Sequence, residues 1–404
     1  MGTRILRRAA AFPAALVLFV AGGQFALSTT SASAATCSTS WSAAQEPPNP
    51  GGLSHPDILN GVAVLSSTNA WAVGSYSNGT ADQTLIVHWN GSMWKVVASP
   101  NAGGPSHENF LTGVAAISAH NIWAVGSHSD GTADRTLIMH WNGSVWKIVA
   151  SPNRGGSASE NILTGVAATS AGDVWAVGKF DNGLGFQTLI EHWNGVSWAK
   201  SASPDPGGQA NNNVLTGVTA LSSTNAWAVG YYFKQGVAYR TLTLHWAGSA
   251  WTTVPSPNAS TPGDDNFLNA VAASGSDLWA VGEVSDGFAG RTLIEHRTGS
   301  QWAVQASPNP ATGPADIDVL TGVTATSAGN AWAVGTVSHG TTSKTLIVHW
   351  DGASWTTVPS PSPGGRAGES ALTGVDAGGP CSAWAVGYYD AATVPAQTLA
   401  LHWG

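Results

Sequence analysis

The chain has 404 residues and a formal net charge of −8; 43% of its residues are apolar, 20 are tryptophan and only 9% are charged. That apolar content excludes an intrinsically disordered chain, and the acidic balance excludes the basic footprint of a nucleic-acid binder. With so few charges, the surface must rest on Ser, Thr, Asn and Gly.

Residues 1–34 read as a secretory leader. Arg4, Arg7 and Arg8 form its positive start, Leu16 to Val20 its apolar run, and Ala32-Ser33-Ala34 a small-residue cleavage site. The run is shorter than the roughly 20 residues of a membrane span. The expectation is a secreted, extracellular protein without membrane insertion, and Arg7-Arg8 leaves open general or twin-arginine export. Loss of the three leader arginines takes the charge to −11.

From Trp71 onward one tetrapeptide, Trp-Ala-Val-Gly, returns at Trp123, Trp175, Trp227, Trp279, Trp332 and Trp384, with spacings of 52, 52, 52, 52, 53 and 52 residues. A constant period marks one supersecondary unit copied along an array. In the second copy, residues 111–117 form a short apolar run and predict strand one. Residues 118–121 are a turn cluster, and 122–126 predict strand two. A polar loop leads to strand three over 135–141, whose sides alternate. Asn142-Gly143 signals a tight hairpin, and strand four follows over 145–149. Ser151-Pro152-Asn153 opens a longer Pro/Gly loop to the next copy. Four short antiparallel strands per copy predict an all-β, seven-bladed β-propeller occupying 35–404 as a single domain.

Every tryptophan falls on a repeat position. One set begins Trp-Ala-Val-Gly, one opens strand four (Trp41, Trp94, Trp146, Trp198, Trp251, Trp302, Trp355), and one follows the repeat histidine (Trp89, Trp141, Trp193, Trp246, Trp350, Trp403). Such rings are expected to pack between blades. The last copy stops after strand three, at Leu401-His402-Trp403-Gly404. The segment after Cys37 supplies the missing strand four, so the two ends should complete one blade and remove a free sheet edge. Cys37 and Cys381 then lie at turns on one side of that blade, and a disulfide between them is expected.

The longer loops all emerge at one end of such a ring, where function concentrates on a rigid scaffold. Ligand-binding candidates there are Asp57, Asn109, Asn161, Asn213, Asn266 and Asp318 before strand one. At the start of strand three stand Gln83, Arg135, Gln187, Arg240, Arg291, Lys344 and Gln397. Amide, carboxylate and guanidinium groups of this kind hydrogen-bond sugar hydroxyls, and they equally tie loop backbone together. The repeat histidines, His88 to His402, are spread around the ring and cannot converge on a metal; no metal and no cofactor is expected. Catalysis needs residues that break the repeat. The candidates are His55, His107 and His128 in loops of the first two copies, with Tyr231 and Lys234 in the fourth.

The copies Trp-Ala-Val-Gly … Thr-Leu-Ile-x-His-Trp-Asn-Gly-Ser-x-Trp … Ser-Pro-Asn resemble a repeat of secreted bacterial β-propellers. More distantly, Val174-Trp175-Ala176-Val177 followed by Trp193-Asn194-Gly195-Val196-Ser197-Trp198 is similar to tectonin-type lectin repeats. The Asn90-Gly91-Ser92 hairpin is similar to, but shorter than, the Asp-box of sialidases. The resemblance implies a propeller and, through the lectin likeness, carbohydrate. The leading expectation is a monomeric, non-catalytic binding module for extracellular glycan or cell-surface polymer. The alternatives are a polysaccharide lyase or glycoside hydrolase with one asymmetric site at the channel mouth, and a protein-interaction scaffold.

Overall fold

A computed structural model describes residues 40–43, 46–259, 263–311, 313–365, 368–379, 381–391 and 394–404. The expected leader and Cys37 lie outside the described residues. The described chain is a β-propeller built from repeated four-stranded antiparallel sheets. In repeat 2 the strands run Asn109–Ser118, Asn121–Ser129, Asp134–Trp141 and Trp146–Ile148, so strand four is shorter than its sequence pattern suggests.

Hydrogen bonding groups the strands into six sheets, not the seven expected. Repeats 1 to 4 form four-stranded sheets. Repeats 5 and 6 share one eight-stranded sheet, because Gly290 pairs in parallel with Ile317 where the two approach. Repeat 7 has three strands, Ser370–Gly379, Ser382–Ala391 and Val394–Trp403. Beside the last of these, Ser42 and His402 exchange backbone hydrogen bonds of 3.0 and 2.9 Å. The amino-terminal segment thus takes the fourth place, as a single bridge and not a full strand.

The repeated motifs have separate physical causes. Strand one carries an irregularity opposite the glycine of Trp-Ala-Val-Gly, between Leu59 and Gly61 in repeat 1. A Cβ on Gly74 would lie 1.9 Å from the Ile58 carbonyl oxygen, so only glycine fits. The asparagine of Ser-Pro-Asn accepts the N–H of the strand-three threonine, as Asn101 does from Thr84 at 2.8 Å. At the chain junction Asn49 accepts from Thr398 at 2.7 Å, and Pro47 accepts from its hydroxyl. The first residues therefore do for repeat 7 what Ser-Pro-Asn does for repeat 1.

The core lies between sheets. Each Trp-Ala-Val-Gly indole meets the strand-four indole of the following repeat, as Trp71 meets Trp146 at 5.8 Å and 73°, and Trp123 meets Trp198 at 5.4 Å and 80°. Trp332 meets Trp41, and Trp384 meets Trp94, so the series runs through both chain ends. These edge-to-face pairs add to the area each ring buries. The other side of the same tryptophan stacks on its repeat histidine, at 4.3 Å for Trp71 and His88. That histidine binds Asn69 at 2.9 Å. His140, His192, His245 and His349 make the equivalent bond, whereas Nε2 of His296 and of His402 has no hydrogen-bond partner among the described residues.

Candidate active site at the loop-bearing end

Strand one of every repeat lines the axis. Towards the loop-bearing end, Asn60, Thr112, Thr164, Thr216, Asn269, Thr321 and Thr373 each donate to a strand-one leucine carbonyl of the next repeat, at 2.6 to 2.9 Å. The glycines that follow in every repeat but the fifth, which has Ala270, bring neighbouring backbones together; a Cβ on Gly217 would lie 3.1 Å from the Ala270 Cα. This level encloses a cavity of about 180 Å³, and the wider Val/Ala/Thr level beyond it encloses about 390 Å³. Among the described residues one carboxyl group, that of Asp376, faces the larger cavity. Asp376 accepts the Val64 N–H at 2.7 Å and the Thr324 hydroxyl at 3.2 Å, and burial raises its pKa.

The ring expected before strand one stands at its first or second residue and turns inward to the linkers. Asp57, Asn109, Asn161, Asn213, Asn266 and Asp318 are at most 1% exposed. Asn109 accepts the Gly103 N–H at 3.0 Å and donates to the His107 carbonyl at 2.7 Å. Asp57 accepts from Gly51 at 3.0 Å and, buried, is raised to about 6. At the start of strand three, Gln83, Gln187 and Gln397 reach carbonyls of the adjoining linker, His107, Asn211 and Gly52. Arg135 donates to Ser159 and pairs with Asp130, and Arg240 donates to Asp264. Arg291 and Lys344 are exposed at the same level.

The candidates that break the repeat are not brought together. His55 and His107 occupy equivalent linker positions one repeat apart, each with Nδ1 on a linker carbonyl, Gly51 or Gly103. His128 lies in strand two of repeat 2, opposite Asn109. Tyr231 and Lys234 belong to repeat 4. Among the described residues, no three His, Cys, Asp or Glu side chains are grouped to hold a metal ion.

Around Tyr231 the structure assembles a group only partly foreseen. Tyr231 packs edge-on against Tyr239 at 5.5 Å and against Phe267 of repeat 5 at 4.9 Å; Phe233 meets Tyr239 at 5.2 Å. Asn212 donates to the Tyr239 hydroxyl at 3.1 Å. Burial, and then Tyr239, hold the Tyr231 phenol above its ordinary pKa, so it keeps its proton. The position of Tyr239 is Asp82, Asp134, Phe186, Gly290, Ser343 and Ala396 elsewhere. That departure from the repeat was the signal for Tyr239. In repeat 5, the register position of Tyr231 is Glu283, a carboxyl that burial raises. In repeat 7 it is Tyr388, raised by burial and by Glu369 and Asp390.

No protein-family model and no curated protein matches the chain. Solved structures do. A GH74 xyloglucanase from Xanthomonas campestris matches with a TM-score of 0.53 at 13% identity, over 89% of this chain and 55% of that one. The β-propeller domain of the Trilobed protease from Pyrococcus furiosus matches at 0.48 and 9%, over 86% and 92%. An α-L-arabinanase from Penicillium chrysogenum matches at 0.45 and 12%, over 91% and 98%. At these identities the likeness shows the β-propeller fold. The expectation of a non-catalytic binding module is corrected here, since the xyloglucanase that this chain resembles in fold is itself an enzyme.

Proposed function

We propose that the protein is a polysaccharide-active enzyme, a lyase or glycoside hydrolase, with one asymmetric site on the loop-bearing end at repeats 4 and 5. The aromatic group of Tyr231, Phe233, Tyr239 and Phe267 carries this reading, because it is built in one sector of an otherwise repetitive ring. Aromatic walls with a few placed polar groups suit the mixed apolar and hydroxylated faces of a sugar. A phenol that keeps its proton can deliver it to a leaving oxygen. Lys234, exposed at the end of the same strand, offers a cation to an acidic sugar.

The same reading makes the ring seven-bladed. The eight-stranded sheet divides into two four-stranded runs joined by one residue pair, and the side-chain bonds around the axis run through seven repeats and return to the first. It also makes the protein a secreted monomer, cleaved near Ala34 and closed by a Cys37–Cys381 bridge; Cys381 is not a free thiol. The test is turnover by residues 35–404 on a panel of neutral and uronate polysaccharides. Reducing ends report hydrolysis and ultraviolet absorbance of an unsaturated uronate reports lyase cleavage. Turnover that Y231F reduces by about 10²-fold or more is expected. No turnover on any polymer would overturn the proposal.

A further inference from the structure

Two carboxyl groups lie far from the loop-bearing site, at a position the other repeats make apolar. The residue before the repeat histidine is Val87, Met139, Leu244, Val348 and Leu401 in repeats 1, 2, 4, 6 and 7, but Glu191 in repeat 3 and Glu295 in repeat 5. Both glutamates are 0% exposed, and none of their four carboxyl oxygens has a hydrogen-bond partner among the described residues.

Their places follow from the repeat. Met139 packs in the cluster between repeats 1 and 2, with Trp71, Ile86 and Trp146. Glu191 takes the equivalent place between repeats 2 and 3, where Trp123, Ile138 and Trp198 pack. Glu295 takes it between repeats 4 and 5, where Trp227, Leu293 and Trp302 pack. An ionised carboxylate in such a layer is costly unless paired.

The charged groups around each are few. Opposite Glu191, Lys200 stands on strand four of its own repeat, and Arg154 approaches on the linker from repeat 2. Both are engaged elsewhere: Lys200 with the Asn153 carbonyl at 3.5 Å, Arg154 with the Ser201 carbonyl at 3.3 Å. Opposite Glu295 stand Ala280 and Val304. Arg297, two residues along, lies over the Trp227 ring at 4.3 Å, and Trp227 also stacks on His245. No ion pair of Glu295 or Glu191 occurs among the described residues.

We infer that the joints between repeats 2 and 3 and between repeats 4 and 5 are proton-dependent locks, closed while Glu191 and Glu295 are protonated and loosened when they ionise. Burial lifts both carboxyls to about 8, against a slight opposing pull of Lys200 and then Arg154 on Glu191. The unfolded chain releases these protons near the ordinary glutamate value of about 4.3. Between the two values the folded state holds protons the unfolded state has lost, so stability falls as pH rises and is fully present only in acid. The inference is independent of the enzymatic reading.

The test is denaturant unfolding from pH 5 to pH 9 of the wild-type chain and of E191Q/E295Q and E191M/E295L, which remove the charge without and with loss of the polar shape, respectively. The wild-type unfolding constant should rise relative to either variant by up to about tenfold per pH unit per carboxyl. Equal slopes for wild type and both variants would overturn the inference. Should neither variant fold, amide exchange of the wild-type protein decides. Opening at pH 9 confined to strand three of repeats 3 and 5 and the facing sheets supports the locks; opening spread evenly over all repeats refutes them.

Discussion

The hydroxyl of Thr373 donates to the carbonyl of Leu59 at 2.6 Å, although 314 residues separate them. Thr216 makes the same bond to Leu268 at 2.7 Å within the middle of the chain. The junction between the last repeat and the first is therefore built like any other. Thr373→Val and Thr216→Val should each cost about 1–2 kcal/mol, the loss of a half-buried hydrogen bond that strands its acceptor. Matched denaturation curves check this. A cost confined to Thr216→Val would mean that the ends do not meet in solution.

Two glycine-to-alanine changes should differ sharply. Gly74→Ala places a methyl 1.9 Å from a backbone oxygen that no side-chain rotation can move, and should cost more than about 4 kcal/mol or abolish folding. Gly217→Ala meets the Ala270 Cα at 3.1 Å, and the next repeat already carries alanine at that position, Ala270. It should cost under about 1.5 kcal/mol. Thermal melts of the two purified variants give the comparison.

Asp57 gives a pH-dependent prediction of its own. Its pKa is raised to about 6 by burial, so its contribution is present in full below about pH 4 and lost as pH rises through 6. Asn109, Asn161 and Asn213 fill the same place, donating to linker carbonyls through their amides. Asp57→Asn should therefore stabilise the protein by about 1–2 kcal/mol at pH 8 and by nothing at pH 4. A difference that is constant with pH would show that the carboxyl is not the cause.

Tyr231 and Tyr388 stand at one register position in repeats 4 and 7, and burial raises both phenols. Only Tyr231 sits in the aromatic group. Tyr231→Phe should remove turnover while glycan affinity stays within about threefold, and Tyr388→Phe should leave turnover unchanged. Steady-state kinetics with isothermal titration separate the two readouts.

Much of this was legible in the residues because the unit is copied. Period, strand order, tryptophan pairing and the exchange at the chain ends all follow from positions that recur, and Pro48 and Asn49 match Pro100 and Asn101 of Ser-Pro-Asn. The shared sheet of repeats 5 and 6 was not legible, since it depends on how closely Gly290 approaches Ile317. The expected sugar-binding rings illustrate a second limit: Asn109 or Gln83 has the chemistry for a hydroxyl, but only coordinates reveal that linker carbonyls already occupy it. The gathering of Tyr231, Tyr239 and Phe267 crosses two repeats, which no periodic alignment can display. The functional class was drawn from near-identity of the copies, and the fold likeness to a xyloglucanase corrected that expectation without itself naming a reaction.

The bridge between Ser42 and His402 also governs when the molecule can be finished. A chain made from its amino end must hold the segment around Ser42 unpaired until His402 has been synthesised. Trp41, 3% exposed in the completed ring, is bare until then. Such long-range pairing slows folding and exposes apolar surface. Any early stop before the last strand leaves two unmatched edges instead of one shortened toroid.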